Sequence, residues 1–165
     1  QEPGRYREEV IDRMGILAGE AEDSGVTLLH ENEKDIYGDV PTRCVDILAG
    51  VGSPALRAAW DAANFVQCGV SPYSEGYASL RPYIEYVHVK DALSGSDRVV
   101  PAGAGDGQLP ETLSALRASA FDGFFSLEPH LASAGPYSGF SGPELFGKAT
   151  GAFKELLRTQ DIEWA

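Results

Sequence analysis

Four residues with the chemistry of metal ligands recur along the chain: Glu31, Asp61, His88 and Glu128, separated by 30, 27 and 40 positions. Each lies at the end of a short apolar or β-prone run, led by Thr27-Leu28-Leu29, Leu56 to Trp60, Ile84 to Val87 and Phe124 to Leu127. Three carboxylates on one rim raise one another's pKa and resist ionisation unless something positive sits among them. A divalent cation reverses that logic. An oxygen-rich set with a single nitrogen suits Mn²⁺ or Mg²⁺ best and also admits Co²⁺, Fe²⁺ or Zn²⁺. Taken singly, an acid at a strand end can equally cap the next helix, and a lone histidine can pack in a core. Four at the same point of four successive units argue for one divalent ion.

The elements that must position these residues follow from periodicity. Val10, Ile11, Met14, Leu17, Ala18 and Ala21 form a helical stripe that Ser24-Gly25 stops. Val26 to Leu29 is too short an apolar run for a helix and reads as a strand buried on both faces, leading to Glu31. Gly38-Asp39-Val40-Pro41 opens a second helix with Asp39 as its expected N-cap, and Val45, Leu48 and Ala49 face inward until Gly50 and Gly52. Leu56 to Trp60 is the second strand, Tyr77 to Tyr83 a helix, and Ile84 to Val89 the third strand, with Lys90 and Asp91 beyond it. A Gly/Ser-rich loop runs to Gly107. Leu109, Leu113, Leu116 and Ala120 mark a helix, Phe124 to Leu127 a fourth strand, and Phe146, Ala149, Phe153, Leu156 and Leu157 the buried side of a last helix. Strands alternating with helices argue for an α/β fold with a parallel sheet, because each parallel return needs a long crossover. The spacing of the strand ends is close to the roughly 31 residues per unit of an eightfold barrel of about 250 residues.

Composition narrows the partners. The 165 residues, 43% hydrophobic, suffice for a single domain spanning 1–165. A net charge of -12, from 25 acids against 13 Lys and Arg, disfavours nucleic acid and anionic membrane surfaces. Cys44 and Cys68 have no partner spacing and read as small core hydrophobes; a reducing cytoplasm is the expected setting. The opening Gln1-Glu2-Pro3-Gly4 reads as a loop within a longer protein.

The stretches "TLLHENEKDIYGD", "WDAANFVQCG", "YVHVKDA" and "FFSLEPHL", in that order, resemble the sugar phosphate isomerase/epimerase family of xylose isomerase-like TIM barrels. The resemblance implies a (β/α)8 barrel of which this chain holds roughly strands 5 to 8 and their helices. It implies that Glu31, Asp61, His88 and Glu128 bind one divalent metal and that Glu31 and Glu128 also exchange protons with the substrate carbon. The implied reaction is isomerisation or epimerisation of a sugar or sugar phosphate through a metal-stabilised enediolate, which needs one carboxylate to take the proton and another to return it. The implied partners are that small molecule and the missing N-terminal half of the barrel or a second copy, with a homo-oligomer left open.

Departures from the family bear on the substrate. Asn64 stands where some ketose epimerases carry a substrate-binding histidine, and Gly103-Ala104-Gly105-Asp106 replaces a common Gly-Glu-Gly. Asn64, Lys90, Asp91 and His130 are the candidate substrate contacts; Lys90 and Asp91 also read as a surface ion pair. The glycines at 103, 105 and 107 invite a phosphate-cradle reading, but position 108 is Gln and Asp106 would repel a phosphate, so a mobile loop is expected. Competing readings are a polyol dehydratase or hydroxypyruvate-type isomerase of the same superfamily, and a truncated, non-catalytic metal- or sugar-binding module. His30 points away from Glu31 by strand alternation, and packing, ligand support and solvent exposure are all open to His30 and Glu33.

Overall fold

Four strands in one parallel sheet place the rim residues. In the computed structural model, which describes residues 2–96, 98–131 and 142–164, the sheet order is β1-β2-β3-β6. These strands are β1 (Leu28–Glu31), β2 (Leu56–Asp61), β3 (Ile84–Val89) and β6 (Phe124–Leu127). The helices are α1 (Arg7–Ser24), α2 (Pro41–Val51), the short α3 (Ala62–Gln67), α4 (Ala78–Leu80), α5 (Leu109–Ala118) and α6 (Pro143–Thr159). A 3-10 turn, Pro3–Tyr6, leads into α1, and a π-helical turn, Pro72–Tyr77, leads into α4. A small antiparallel hairpin, β4 (Asp91–Ala92) with β5 (Val99–Val100), follows β3.

Strand alternation divides the work between the two faces of the sheet. The helix-facing side carries Leu56, Ala58, Trp60, Ile84 and Val87, which join Ile47 and Leu48 of α2, Leu80 of α4 and Leu116 of α5 in one buried cluster. Trp60 anchors it edge-on against Phe65 and Tyr77, with ring centroids 5.1 and 5.9 Å away. Val89, Leu113, Phe153 and Leu157 make a second cluster beneath α6. Cys44 is buried with its thiol donating to the Gly38 carbonyl, and burial pushes that thiol up to about 12. On the other side of the sheet, Leu29 and Phe124 are exposed, the latter by 74%.

Several expectations are corrected. β1 is not buried on both faces: Val26 precedes it and is exposed, and Leu29 faces the open side of the sheet's edge strand. Asp39 does not cap α2; Val40 holds that place without a side-chain cap bond, and Asp39 pairs with Arg43 one turn on. The helix expected over Tyr77 to Tyr83 begins earlier and stops at Leu80, and α5 ends at Ala118, with Ala120 left-handed beyond it. α3 and the β4–β5 hairpin were not expected. All but the last residue of α3 are buried, so it shows no amphipathic stripe, and each strand of the hairpin has two residues.

Candidate metal centre

Register brings the four rim residues together. Glu31 and Asp61 are the last residues of β1 and β2, Asp61 pairs with His88 on β3, and His88 pairs with Ser126, so that Glu128 follows one alternation later on the same side. One ligand atom from each of Glu31, Asp61, His88 and Glu128 lies within 4.8 Å of all the others. His88 Nδ1 sits 2.8 Å from Glu31 Oε1 and 3.1 Å from Glu128 Oε1.

Backbone capping explains how Asp61 is aimed. It is the N-cap of α3, its Oδ1 accepting the Asn64 N–H at 2.9 Å, which leaves Oδ2 for the cluster. That Oδ2 is fully buried and has no aligned hydrogen bond; the Lys90 ammonium, 2.8 Å away, meets it by charge. Lys90 Nζ also lies 3.2 Å from Glu128 Oε2.

Two amides finish the frame. Asn32, not singled out by sequence reasoning, extends the β1–β2 ladder with its side chain: its Oδ1 accepts the Asp61 N–H at 2.9 Å and its Nδ2 donates to the Asp61 carbonyl at 2.8 Å. The signal in the sequence is an amide directly after the strand-end acid Glu31. Asn64, expected to touch substrate, is buried; its Nδ2 donates to the Asn32 carbonyl at 2.8 Å and reaches Glu31 Oε1 at 3.4 Å. It holds Glu31 from behind.

The other expected contacts fall elsewhere. Asp91 points away from the cluster, as alternation from Lys90 requires, and is buried. Its Oδ1 accepts from the Ala92 and Gly107 amides, both at 2.9 Å, and its Oδ2 from Gly103 at 2.9 Å and Gly105 at 3.0 Å. The expectation of substrate contact is therefore corrected to that of a loop anchor, because both oxygens are spent on backbone amides. The same bonds replace the mobile-loop expectation with an anchored loop: the glycine amides surround an anion, and it is the chain's own carboxylate. His130 is exposed beyond β6. His30 is buried on the helix-facing side, its ring so close to Gly38 that a side chain there would collide with it. Glu33 accepts the Lys34 N–H at 2.7 Å.

The electrostatics follow burial and neighbours. Burial pushes Asp61 up to about 6 against the pull of Lys90. Burial works to raise Glu31, yet the His88 bond and the charges of His88 and Lys90 hold it below the usual carboxylate range. The Glu31 bond raises His88 against burial, and Asp61 and Glu128 raise Lys90 against its own burial. Three carboxylates thus face one ammonium and one imidazole, with a buried carboxylate oxygen left without an aligned donor. That donor set fits an oxygen-preferring divalent cation. Among the described residues, no helix is long and apolar enough to cross a membrane.

Comparison with known proteins agrees with this architecture. A 2-epi-5-epi-valiolone 7-phosphate 2-epimerase from Actinoplanes sp. (strain ATCC 31044 / CBS 674.73 / SE50/110) is 35% identical over 100 residues, which are 60% of this chain and 35% of that protein. The IOLI protein solved with a binding zinc atom superposes with a TM-score of 0.75 at 19% identity, covering 97% of this chain and 59% of that one. A xylose isomerase-like TIM barrel protein from Mycobacterium smegmatis, in complex with magnesium, gives 0.71 at 21%, covering 97% and 53%. At these identities the structural likeness is one of fold, and the chain spans little more than half of either solved protein. The family model described as xylose isomerase-like TIM barrel matches residues 1–156, and the chain belongs to that family.

Proposed function

We propose that this chain carries the metal- and proton-handling side of a divalent-metal-dependent isomerase or epimerase acting on a sugar or sugar phosphate. The observation that carries the reading is the meeting of Glu31 and Glu128 on one nitrogen, His88 Nδ1, with the buried Asp61 Oδ2 in the same cluster. Glu31, Asp61, His88 and Glu128 are the residues that would hold the ion. When bound, a divalent ion supplies Lewis-acid polarisation of a carbonyl and its neighbouring hydroxyl.

The residues of the chain do the rest. Glu31 and Glu128 approach the cluster from β1 and from beyond β6, the two edges of the sheet, so a carbon held between them meets one carboxylate from each side. One takes the proton next to the carbonyl and the other returns it, on the opposite face for epimerisation. His88 bridges the pair, and Asn64 and Asn32 fix Glu31 and Asp61. The 35% identical relative, named as an epimerase of a 7-phosphate, favours a phosphorylated substrate. We infer that the four strands are the fifth to eighth of the barrel and that its remaining βα units cover the side bearing Leu29 and Phe124; the partial coverage of the solved relatives supports this.

The test is calorimetric titration with Mn²⁺, followed by deuterium uptake in D₂O from a panel of D-fructose, D-fructose 6-phosphate and 2-epi-5-epi-valiolone 7-phosphate, with the complete protein. Uptake from one of them, abolished by Glu128→Gln, is expected. A protein that binds no divalent ion, or a variant that exchanges at the parental rate, overturns the reading.

A further inference from the structure

The proton transfer above leaves Lys90 without a task, although it is the most deeply placed cation of the cluster. Its side chain is 4% exposed, and Nζ bridges Asp61 Oδ2 at 2.8 Å and Glu128 Oε2 at 3.2 Å. Two features keep it there. The flanking Val89 and Asp91 are both buried. Asp91 also accepts from the amides of Ala92, Gly103, Gly105 and Gly107, and the three glycine bonds tie the backbone next to Lys90 to the loop.

Charge then becomes countable. Glu31, Asp61 and Glu128 bring three negative charges when ionised and Lys90 one positive charge, which leaves two to be matched beside a neutral His88. Carboxylate oxygens with one imidazole do not by themselves separate a hard divalent ion from a hard trivalent one. The fixed ammonium does. We propose that Lys90 is a specificity-determining counter-cation of the metal centre: its ammonium stays seated on Asp61 and Glu128 while the ion is bound and sets the ionic charge the cage accepts at two. The inference rests on the metal reading of the preceding subsection and adds a selection rule to it. Glu128 Oε1 and Oε2 thereby divide their work, one toward His88 and the ion, the other toward Lys90.

The test compares the parent protein with Lys90→Met, Lys90→Gln and Lys90→Arg, using calorimetric titration with Mn²⁺ and with Tb³⁺, and circular dichroism to confirm folding. Removing one positive charge a few ångströms from the ion benefits a trivalent ion more than a divalent one, so the Tb³⁺-over-Mn²⁺ preference of the neutral variants should rise by about tenfold or more. Lys90→Arg keeps the charge and should keep the parental preference. A neutral variant that binds Mn²⁺ with its preference within about twofold of the parent overturns the inference while leaving the metal reading intact. If neither neutral variant folds, Lys90→Arg decides: a shift toward Tb³⁺ there overturns the role of charge, and an unchanged preference supports it. A parent protein that binds neither ion overturns the metal reading itself, and this inference with it.

Discussion

Replacing Asp91 by Asn separates a loop anchor from a substrate contact, and its cost can be worked from the bonds. Oδ1 accepts from Ala92 and Gly107 and Oδ2 from Gly103 and Gly105. An asparagine keeps one acceptor oxygen and turns an NH₂ toward the other two amides, leaving two buried donors unsatisfied. At about 1–3 kcal/mol each the loss is about 2–6 kcal/mol. Burying a neutral amide costs less than burying a carboxylate, which brings the loss to about 3 kcal/mol. For a domain of this size that is a fall in Tm of about 6–12 °C. Differential scanning calorimetry measures it, and Mn²⁺ titration alongside should show weakened binding, since the loop and the Lys90 backbone loosen together. A Tm within about 2 °C of the parent with turnover abolished would refute the anchor and restore the substrate contact.

Two further outcomes are expected. Asn32→Ala removes both side-chain bonds to the Asp61 backbone and should weaken Mn²⁺ binding by about 10- to 100-fold, measured by calorimetry, with binding inside about threefold counting against Asn32 as a frame for the ligand. The Asp61 carboxyl is raised from its ordinary 3.8 to about 6, so the ion-free fold holds this proton more tightly than the unfolded chain. Its contribution to stability is complete below 3.8 and is lost as pH rises through about 6, so the Tm of the ion-free parent relative to Asp61→Asn should fall between pH 4 and 7, while Mn²⁺ affinity rises over the same range; a flat difference refutes the assignment.

The four residues of the candidate metal centre are legible in the sequence because each sits at the end of its own apolar run, and the strand end is the one feature that hydrophobic pattern marks clearly. Their supports are not legible, for a physical reason. Asn32 acts on main-chain atoms of Asp61, 29 positions away, through a register that only the folded sheet creates. The glycines at 103, 105 and 107 form an anion-binding loop, but a local pattern does not reveal which anion fills it. Close approach demands two of them: a Cβ at Gly105 or Gly107 would run into the Asp91 carboxylate. Lys90 and Asp91 are a different case, because the strand period alone sends one toward His88's side and the other away. Their opposite charges suggest a single pair with a shared role, whereas their parity assigns them to opposite faces of the sheet.

That parity also explains why so charged a cluster can be held firmly. At the two central strand ends the residue beside the rim side chain turns the other way and is locked: Trp60 beside Asp61 packs on Phe65 and Tyr77, and Val87 and Val89 flank His88 within buried clusters, while Asp91 next to Lys90 is tied to the loop. Mutual repulsion among Glu31, Asp61 and Glu128 therefore acts against a framework stabilised on the opposite face of the same strands. The ligands need not be individually stable where they stand. Asp61 and His88 are held there by neighbours one residue away, which helps a chain of net charge -12 keep three of its 25 acids together at one rim.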